Sequence, residues 1–203
     1  MNKKVEKIIE NLSNKKIKSK YFTSKEEAKR EILREIKPKM TIGIGGSMTI
    51  KEMELYEAID QSINPIYWHW MVQPEERPAI FPKAQRADLY LSSTNALTEE
   101  GELINIDGVG NRVSSMFFGP EKVIIVCGIN KIVENHEAGI KRIKEIACPL
   151  NAKRLALKTP CAITGTCTDC SSEQRMCNIT VTIQAKPAMV DLEVYIIDEK
   201  LGY

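Results

Sequence analysis

The amino-acid sequence predicts an α/β domain built on a mostly parallel sheet, with helices covering it. A β-branched apolar run at residues 123–128, ended by a glycine, is typical of a strand buried on both faces. Residues 40–47 read MTIGIGGS, which predicts a short strand that breaks into a glycine turn before a helix. Apolar residues three and four apart within residues 1–37 predict amphipathic helices that cover the sheet.

Length and composition limit this prediction to an ordinary globular protein. The chain has 203 residues and 43% hydrophobic content, enough for one large core or a core with an appendage. We therefore divide it into an N-terminal helical segment at 1–37, packing on the core, and an α/β domain at 38–203 that carries a cysteine-rich insertion at 160–178.

Charge and hydropathy exclude several classes of partner. Lys and Arg number 29 and Asp and Glu 27, so the net charge of +2 argues against an obligate nucleic-acid partner. No stretch approaches the roughly 18 apolar residues of a membrane span, and charged residues stand where a signal peptide would be apolar. We expect a cytoplasmic protein with no membrane partner; whether it forms a homo-oligomer stays open.

The N-terminal segment should contain two helices. Apolar residues at Val5, Ile8 and Leu12 mark the first helix. Ser24 followed by Glu27 has the spacing of a capping box, so the second helix should begin there and end near Pro38.

The remaining elements follow in chain order. A helix is predicted from about Met48 to Ile59, and residues 65–82 form an aromatic segment interrupted by prolines. Within that segment His69 is interpreted as an ordinary packed or exposed histidine, because the sequence places no partner beside it. A helix is predicted at 134–147, with His136 facing solvent. Further strands are predicted at 87–91, 103–106, 123–128, 179–183 and 192–197. The last two of these strands should complete the sheet.

The first glycine turn is a candidate anion site. A strand, a glycine turn and a helix N-terminus direct backbone N–H groups and the helix dipole at one point. The dinucleotide pattern G-x-G-x-x-G is incomplete, because Met48 stands where its last glycine would be. A tight turn without a ligand is the alternative. The candidate ligand-binding residues here are Gly43, Gly45, Gly46 and Ser47.

A dense polar segment precedes the buried strand at 123–128. Asn95 and Asn111 offer amide groups suited to a hydroxyl or carboxylate, and Glu102 and Asp107 are the ionisable candidates. Five residues apart on an extended strand, these two carboxylates point to opposite faces. We favour Asp107, because the glycines after it let the backbone approach a ligand.

Two cations complete the candidate site. Arg112 could clamp a carboxylate or phosphate, and Lys131 follows a strand end, where pockets form in open sheets. A surface salt bridge is the alternative for each charge. We expect the polar segment to fold back beside the glycine turn, so that both line one cleft.

The second constellation consists of cysteines within the insertion at 160–178. Four thiols spaced C-x5-C-x2-C-x6-C can surround a zinc ion or an iron–sulfur cluster, although the spacing matches neither a ferredoxin nor a paired zinc ribbon. A reactive thiol pair and inert cysteines are the alternatives. Cys127 and Cys148 are interpreted as packing residues. The candidate metal ligands are Cys161, Cys167, Cys170 and Cys177.

Three stretches together resemble a known family. They read GIGGS, ADLYLSSTNALTEEGELINIDGVGNRVSSMFFGPEKVIIVCGINKIV and TPCAITGTCTDCSSEQRMCN. The resemblance is to the LUD-domain family of lactate-utilisation (LutC/YkgG-like) proteins and runs from Tyr21 to Tyr203. It implies the three-layer α/β fold of the NagB/RpiA/CoA-transferase-like superfamily, with residues 38–203 as the LUD domain.

The resemblance also carries expectations about function. It implies a component of a system that oxidises L-lactate or a related 2-hydroxy acid to pyruvate with iron–sulfur partner proteins. Several isomerases of the superfamily carry a catalytic aspartate in a G-A-D motif, where this chain has Thr94-Asn95-Ala96. A neutral amide cannot abstract a proton, which argues against isomerase chemistry.

Other functions stay open beside this one. The chain could be a stand-alone enzyme or sensor of the superfamily that binds a small carboxylate or phosphate ligand, or an assembly subunit without chemistry of its own. Whether it is an enzyme is undecided. If it is, the candidate catalytic residues are Asp107, Glu102 and Lys131.

Overall fold

The computed structural model describes residues 2–203, which form a three-layer α/β fold with two sheets. The strands are β1 (Lys18–Phe22), β2 (Ile42–Ile44), β3 (Ile66–Trp68), β4 (Leu89–Ser93), β5 (Ala96–Thr98), β6 (Leu103–Asp107), β7 (Lys122–Gly128), β8 (Ile132–Val133), β9 (Ile179–Ile183) and β10 (Asp191–Ile197). The helices are α1 (Lys3–Asn14), α2 (Lys25–Glu35), α3 (Met48–Glu52), α4 (Leu55–Ala58), α5 (Arg77–Gln85), α6 (Asn111–Ser114), α7 (His136–Arg142), α8 (Cys148–Arg154) and α9 (Pro160–Thr164). None of the helices in this described part is long and apolar enough to cross a bilayer.

The main sheet has six parallel strands in the order β1-β10-β7-β4-β2-β3. Its centre is β7, whose successive side chains point to opposite faces. Ile125 packs with Leu12 of α1 on one face, and Ile124 packs with Ile32 of α2 on the other. The sheet is therefore buried on both sides, as the apolar run at 123–128 predicts.

The N-terminal segment contributes a strand as well as its two predicted helices. Asn2 caps α1 by accepting a hydrogen bond from the N–H of Lys4 at 2.8 Å, and Ser24 caps α2 as predicted. Between the helices, β1 pairs with β10 at the edge of the sheet. The sequence KSKYF has no apolar alternation that would reveal it, because an edge strand tolerates lysines.

The second sheet has four strands in the order β8-β5-β6-β9. In it β6 runs antiparallel to both β5 and β9. The prediction that 179–183 and 192–197 complete the same sheet is therefore wrong: β9 belongs to this smaller sheet, whereas β10 lies between β1 and β7. The burial differs accordingly, since β9 is half exposed and β10 is buried from its second residue onward.

Two predicted helices differ from those observed. The helix expected from Met48 to Ile59 is divided into α3 and α4, because Glu54 adopts a left-handed backbone with φ of 53°. The helix expected at 134–147 instead begins at His136 and continues to Arg154. A π-helical turn at Ile143–Ala147 joins α7 to α8, directly before Pro149, which cannot donate a backbone hydrogen bond.

Candidate functional site

The carboxyl ends of β2, β4 and β7 open onto a cleft of about 480 Å³. The end of β6 and the helix α8 form its opposite wall. In the main sheet β2 lies between β3 and β4, so the chain changes direction across the sheet at this point, where open α/β sheets bind their ligands. The polar lining includes Ser47, Lys51, His69, Arg77, Ser93, Thr94, Asn95, Asp107, Asn111, Arg112, Lys131, Asn151, Arg154 and Tyr203.

The glycine turn and the polar segment meet in this cleft, as the sequence predicts. Seven of the predicted site residues line it, namely Gly46, Ser47, Asn95, Asp107, Asn111, Arg112 and Lys131. Gly43 and Gly45 lie beneath the cleft floor, and Glu102 lies in the turn between β5 and β6, away from the lining.

Gly43 and Gly45 have a packing role in this structure. A Cβ at Gly43 would collide with the carbonyl oxygen of Ala84, and one at Gly45 would lie 2.7 Å from the hydroxyl of Tyr90. Gly43 therefore admits only glycine, so that β2 can approach α5 closely, whereas a side chain at Gly45 would require Tyr90 to shift. Of the four residues predicted in the turn, Gly46 and Ser47 are the two that can reach a ligand.

Ser47 begins the helix α3. Its hydroxyl oxygen accepts a hydrogen bond from the N–H of Ile50 at 3.2 Å, which makes it the N-cap. The hydroxyl hydrogen remains able to donate into the cleft, since the oxygen serves only as an acceptor in the cap.

Arg112 is the centre of a buried hydrogen-bond network. Its Nη1 and Nη2 groups donate to protein acceptors, which leaves little of the guanidinium for a ligand. The Nε forms an ion pair with Asp107 Oδ2 at 3.2 Å. The other bonds are Nη1 to Ser93 O at 3.1 Å and to Asn105 Oδ1 at 2.8 Å, and Nη2 to Asn95 Oδ1 at 3.0 Å and to Ile106 O at 2.9 Å. In place of the predicted clamp, Arg112 positions the residues that line the cleft.

Asp107 lies at the end of β6, beside this arginine. Its Oδ1 accepts hydrogen bonds from the N–H groups of Val109 at 3.2 Å and Gly110 at 2.8 Å. Gly110 adopts φ of 95°, a conformation that favours glycine. Asp107 therefore holds the loop after β6 in place, and its other oxygen, Oδ2, is in an ion pair with Arg112.

Two amide groups remain available to a ligand. The Oδ1 of Asn95 accepts from Arg112 and from the N–H of Ile106, whereas its Nδ2 has no partner among residues 2–203. The side chain of Asn111 likewise makes no hydrogen bond within the described chain. Both residues line the cleft and can donate to or accept from a bound hydroxyl or carboxylate.

Lys131 places a buried amine in the cleft. Its side chain lies in the turn after β7, and the residue is 3% exposed. The Nζ donates to Thr49 Oγ1 at 2.8 Å and to Ser93 Oγ at 2.9 Å, and no carboxylate of residues 2–203 forms a salt bridge with it. Burial lowers the pKa of Lys131 to about 7, and repulsion from Arg142 and Arg112 contributes. This amine can therefore gain or lose a proton near neutral pH.

Arg142 is a second buried cation, behind the cleft wall. Its Nη1 donates to the carbonyl of Asn95 at 2.7 Å and its Nε to the carbonyl of Asn130 at 3.0 Å. Burial lowers its pKa, and within the described residues no carboxylate pairs with it. Arg112 and Arg142 thus fix the side chain and the backbone of Asn95 from two directions.

The rim of the cleft is formed by residues that sequence reasoning did not assign to it. The guanidinium of Arg154 lies 4.4 Å from the ring centroid of Trp70 and donates to the hydroxyl of Tyr203 at 2.9 Å. Burial lowers the pKa of His69 to about 4, and repulsion from Arg77 contributes, so this histidine is neutral at pH 7. The aromatic cluster after β3 was the one signal in the sequence that could have indicated this rim.

The cleft carries an excess of positive charge. The only carboxylate side chain that lines it within the described chain is that of Asp107, which is already paired with Arg112. The lining cations are Lys51, Arg77, Arg112, Lys131 and Arg154. This arrangement favours a negatively charged ligand.

The predicted metal ligands meet at a second, smaller cavity of about 10 Å³. Cys148 also lines this cavity; it is buried, as predicted for a packing residue, and burial raises its pKa to about 12. Cys127 is buried in β7, as predicted. All six cysteines are free thiols, and in residues 2–203 no group of three or more His, Cys, Asp or Glu side chains is arranged to hold a metal ion. The cysteines at the cavity are Cys148, Cys161, Cys167, Cys170 and Cys177.

Comparison with known proteins identifies the fold and the family. The crystal structure of a DUF162 family protein from Deinococcus radiodurans shares the fold, with a TM-score of 0.54 and 11% sequence identity over 96% of each chain. No curated protein matches this sequence. The family model described as the LUD domain matches residues 5–197. The chain therefore belongs to the LUD-domain family.

Proposed function

We propose that this chain is a lactate-utilisation component whose cleft binds the carboxylate of L-lactate or a related 2-hydroxy acid. It would act in a system that oxidises this acid to pyruvate together with iron–sulfur partner proteins. Membership of the LUD-domain family supports a role related to lactate utilisation in general. The chemistry of the cleft supports the rest of the proposal.

The observation that carries the proposal is the unpaired amine of Lys131. A buried cation without a carboxylate partner costs folding free energy, and a protein gains no stability by keeping one. Lys131 is 3% exposed, its two partners are hydroxyls, and it lines a cleft with four other cations. An anionic ligand supplies the missing counter-charge.

The remaining groups suit the other parts of a 2-hydroxy acid. The free amide of Asn95 and the side chain of Asn111 can hydrogen-bond to a hydroxyl or keto oxygen beside the carboxylate. Ser47 can donate from the opposite side of the cleft. Asp107 acts indirectly, since its oxygens hold the loop after β6 and the side chain of Arg112.

Oxidation of a 2-hydroxy acid to a 2-oxo acid releases two electrons and two protons. In the proposed system the iron–sulfur centres of the partner accept both electrons. Lys131 stays protonated beside the bound carboxylate, so both protons pass to solvent. Glu102 lies outside the cleft lining and takes no part in this scheme.

Ligand binding to the purified chain tests the proposal. Isothermal titration and thermal unfolding should show binding of L-lactate, pyruvate or glycolate in preference to acetate at equal ionic strength. A ligand at 100 times its Kd adds about 2.7 kcal/mol to the free energy of unfolding. Lys131→Met should abolish binding, and Lys141→Met, which alters an exposed lysine of α7, should retain it. Equal binding by wild type and Lys131→Met would refute the assignment of Lys131.

Growth on lactate tests the role in the cell. A strain that lacks the gene should grow poorly on L-lactate and normally on pyruvate. Wild type and Lys141→Met should restore growth, whereas Lys131→Met should not. Unimpaired growth of the deletion strain on L-lactate would contradict the lactate assignment.

The size of the cleft favours a second candidate, a larger ligand that bears a phosphate. At about 480 Å³ the cleft lies within the range of roughly 300–1,000 Å³ that accommodates drug-sized ligands, and a three-carbon acid would leave much of it to water. Under this alternative the chain is a stand-alone enzyme or sensor of the isomerase and CoA-transferase superfamily. Stabilisation by sugar phosphates or acyl-CoAs, with no response to 2-hydroxy acids, would select it.

A further inference from the structure

The small cavity beside the cleft is lined by the cysteines of the insertion at 160–178 together with Cys148 of α8. Cys148 begins α8, Cys161 lies in α9, and Cys177 precedes β9, while Cys167 and Cys170 occupy the loop between. Only Cys167 and Cys170 are close neighbours in sequence. The fold brings Cys148 of α8 beside the thiols of the insertion, which their spacing alone does not predict.

The loop that carries the thiols is shaped around them. The N–H of Asp169 donates to Cys167 Sγ at 3.5 Å, from a residue in the left-handed conformation with φ of 48°. A hydrogen bond of this kind favours the thiolate, the form of cysteine that binds metals. The loop from 165 to 178 contains no helix or strand, so little else fixes its conformation.

Arg175 ties two of the cysteines together. Its Nη1 donates to the carbonyl of Cys170 at 2.6 Å, and its Nε donates to the carbonyl of Cys177 at 3.2 Å. Its guanidinium lines the same cavity. Its Nη2 is also paired with Asp169 Oδ1 at 3.0 Å, so the guanidinium offsets only part of the negative charge that several thiolates around a divalent ion would carry.

The small size of the cavity favours a single ion over a cluster. A volume of about 10 Å³ corresponds to roughly one water-sized sphere, which suits one ion. An iron–sulfur cluster contains several metal and sulfide atoms and would require the walls to move apart.

We propose that Cys161, Cys167, Cys170 and Cys177 bind one Zn²⁺ ion as a closed, structural tetrathiolate site. No three of these side chains are arranged around a common point within the described chain, so the thiols must turn inward from the cavity walls and binding is coupled to ordering of the loop. Cys148 and Met176 line both the small cavity and the cleft and separate the ion from a ligand. Four thiolates leave no open coordination position, which is typical of structural zinc sites.

The zinc site does not depend on the proposed function, because the ion would not touch the ligand.

Cobalt(II) titration of the reduced, metal-free full-length chain tests the proposed zinc site. We expect one equivalent of Co²⁺ to produce the thiolate-to-cobalt charge-transfer bands and the intense visible bands of a tetrahedral sulfur site, and Zn²⁺ to displace it. Zn²⁺ should also protect the four motif thiols of the wild-type chain from alkylation, a measurement that needs no variant.

Matched variants assign the ligands. Cys170→Ser and Cys177→Ser should weaken Co²⁺ binding by more than about 100-fold, beyond the effect expected for an outer-shell partner. Cys127→Ala, in the buried strand β7, and Cys148→Ala, in the wall between the cavities, should each retain one equivalent. Loss of the bands in Cys148→Ala would overturn the assignment of the four ligands.

Two further outcomes would overturn the proposal. One is the absence of charge-transfer bands, and of any protection by Zn²⁺, in a chain whose six thiols are all reduced. The other is a protein that, purified without oxygen, carries iron with inorganic sulfide, which would assign the cavity to a cluster. Either result leaves ligand binding in the cleft untouched, so failure of this proposal is distinguishable from failure of the proposed function.

Discussion

The buried amine of Lys131 should make the stability of the protein depend on pH in a predictable direction. Its pKa falls from an ordinary value near 10.5 to about 7 on folding, so between these two pH values the unfolded chain binds more protons than the folded one. The free energy of unfolding therefore rises with pH across this window. Below pH 7 the full penalty is present, with an upper limit of roughly 5 kcal/mol at 1.36 kcal/mol per pH unit.

Lys131→Met should therefore stabilise the protein at low pH. The substitution removes the penalty but also removes two hydrogen bonds to hydroxyls, each of about 1 kcal/mol. We expect the variant to exceed wild type by about 2–3 kcal/mol at pH 6 and to lose this advantage by pH 10, as measured by urea unfolding. His69 titrates in both proteins, so its contribution cancels. A difference that stays constant with pH would contradict the lowered pKa.

The hydrogen-bond network of Arg112 leads to a second prediction about protein stability. Arg112→Lys keeps the charge but replaces five donors in a planar fork by three at a single nitrogen, so it cannot satisfy Asp107, Asn105 and Asn95 together. We expect a loss of about 2–4 kcal/mol in the free energy of unfolding, because buried acceptors lose their partners. Arg30→Lys, at an exposed position of α2, should change it by less than about 0.5 kcal/mol. A small effect of Arg112→Lys would show that the network contributes little.

Residue types indicated the site better than they indicated individual roles. The density of polar groups between two buried strands predicts that Asn95, Asp107 and Arg112 lie together, and in the structure they line one cleft, because such groups cannot all be buried without a ligand or each other. Whether Arg112 faces a ligand or its neighbours depends on Asn105 and on backbone carbonyls, and no local pattern encodes these contacts. Arg154 reaches the rim from α8, a position that only the tertiary fold determines.

Among the secondary-structure elements, the sequence predicts best those that are buried on both faces. The central strand β7 is buried on both faces and appears as a continuous apolar run. Strands at the edge of the sheet lack this apolar pattern, because β1 has lysines and only partly buried side chains. The strand β9 was recognised, but its alternating threonines do not specify the sheet to which it belongs. Pairing is a long-range property that a local pattern leaves undetermined.

The glycine turn after β2 combines two roles that substitution should separate. A methyl group at Gly43 meets the backbone of Ala84 and cannot be accommodated by a side-chain shift. At Gly46 it lies 3.3 Å from His69 Cε1 and Trp70 Nε1, which are side-chain atoms at the cleft rim. We expect Gly43→Ala to lower the free energy of unfolding by about 2–3 kcal/mol and Gly46→Ala to lower it by less than about 1 kcal/mol.

Ligand binding should respond in the opposite order. Gly46→Ala narrows the cleft between the turn and His69, so its affinity for L-lactate should fall more than tenfold, as measured by isothermal titration. Gly43→Ala should bind L-lactate with near wild-type affinity under conditions where it is folded. If Gly46→Ala were to bind as tightly as wild type, the turn would have no part in the ligand site.

At the scale of the whole molecule, the cleft exists because two sheets meet at their ends. Parallel strands bring the turns after β2, β4 and β7 to one edge of the main sheet, and the smaller sheet places β6 opposite them. Arg142 of α7 and Arg112 of α6 join the two sides through Asn95. The cations that line the cleft come from the turns after the parallel strands, as Lys131 does, and from α8, as Arg154 does, so the proposed anionic ligand would relieve repulsion between them.

This arrangement predicts that ligand affinity falls as pH rises through 7. Lys131 offers a counter-charge only while its amine is protonated. The apparent Kd for L-lactate should therefore increase by up to about tenfold per pH unit above 7. His69, with a pKa of about 4, and Cys127, whose pKa burial raises to about 11, do not titrate between pH 6 and 9. Isothermal titration at constant ionic strength measures the profile.

A matched variant separates this effect from general electrostatics. Lys51 lines the cleft but is exposed, so Lys51→Met should weaken L-lactate binding by a similar factor at every pH and leave the slope unchanged. Wild-type affinity that is flat from pH 6 to pH 9 would mean that Lys131 does not contact the anion. In that case the counter-charge comes from the arginines at the rim, whose protonation does not change in this range.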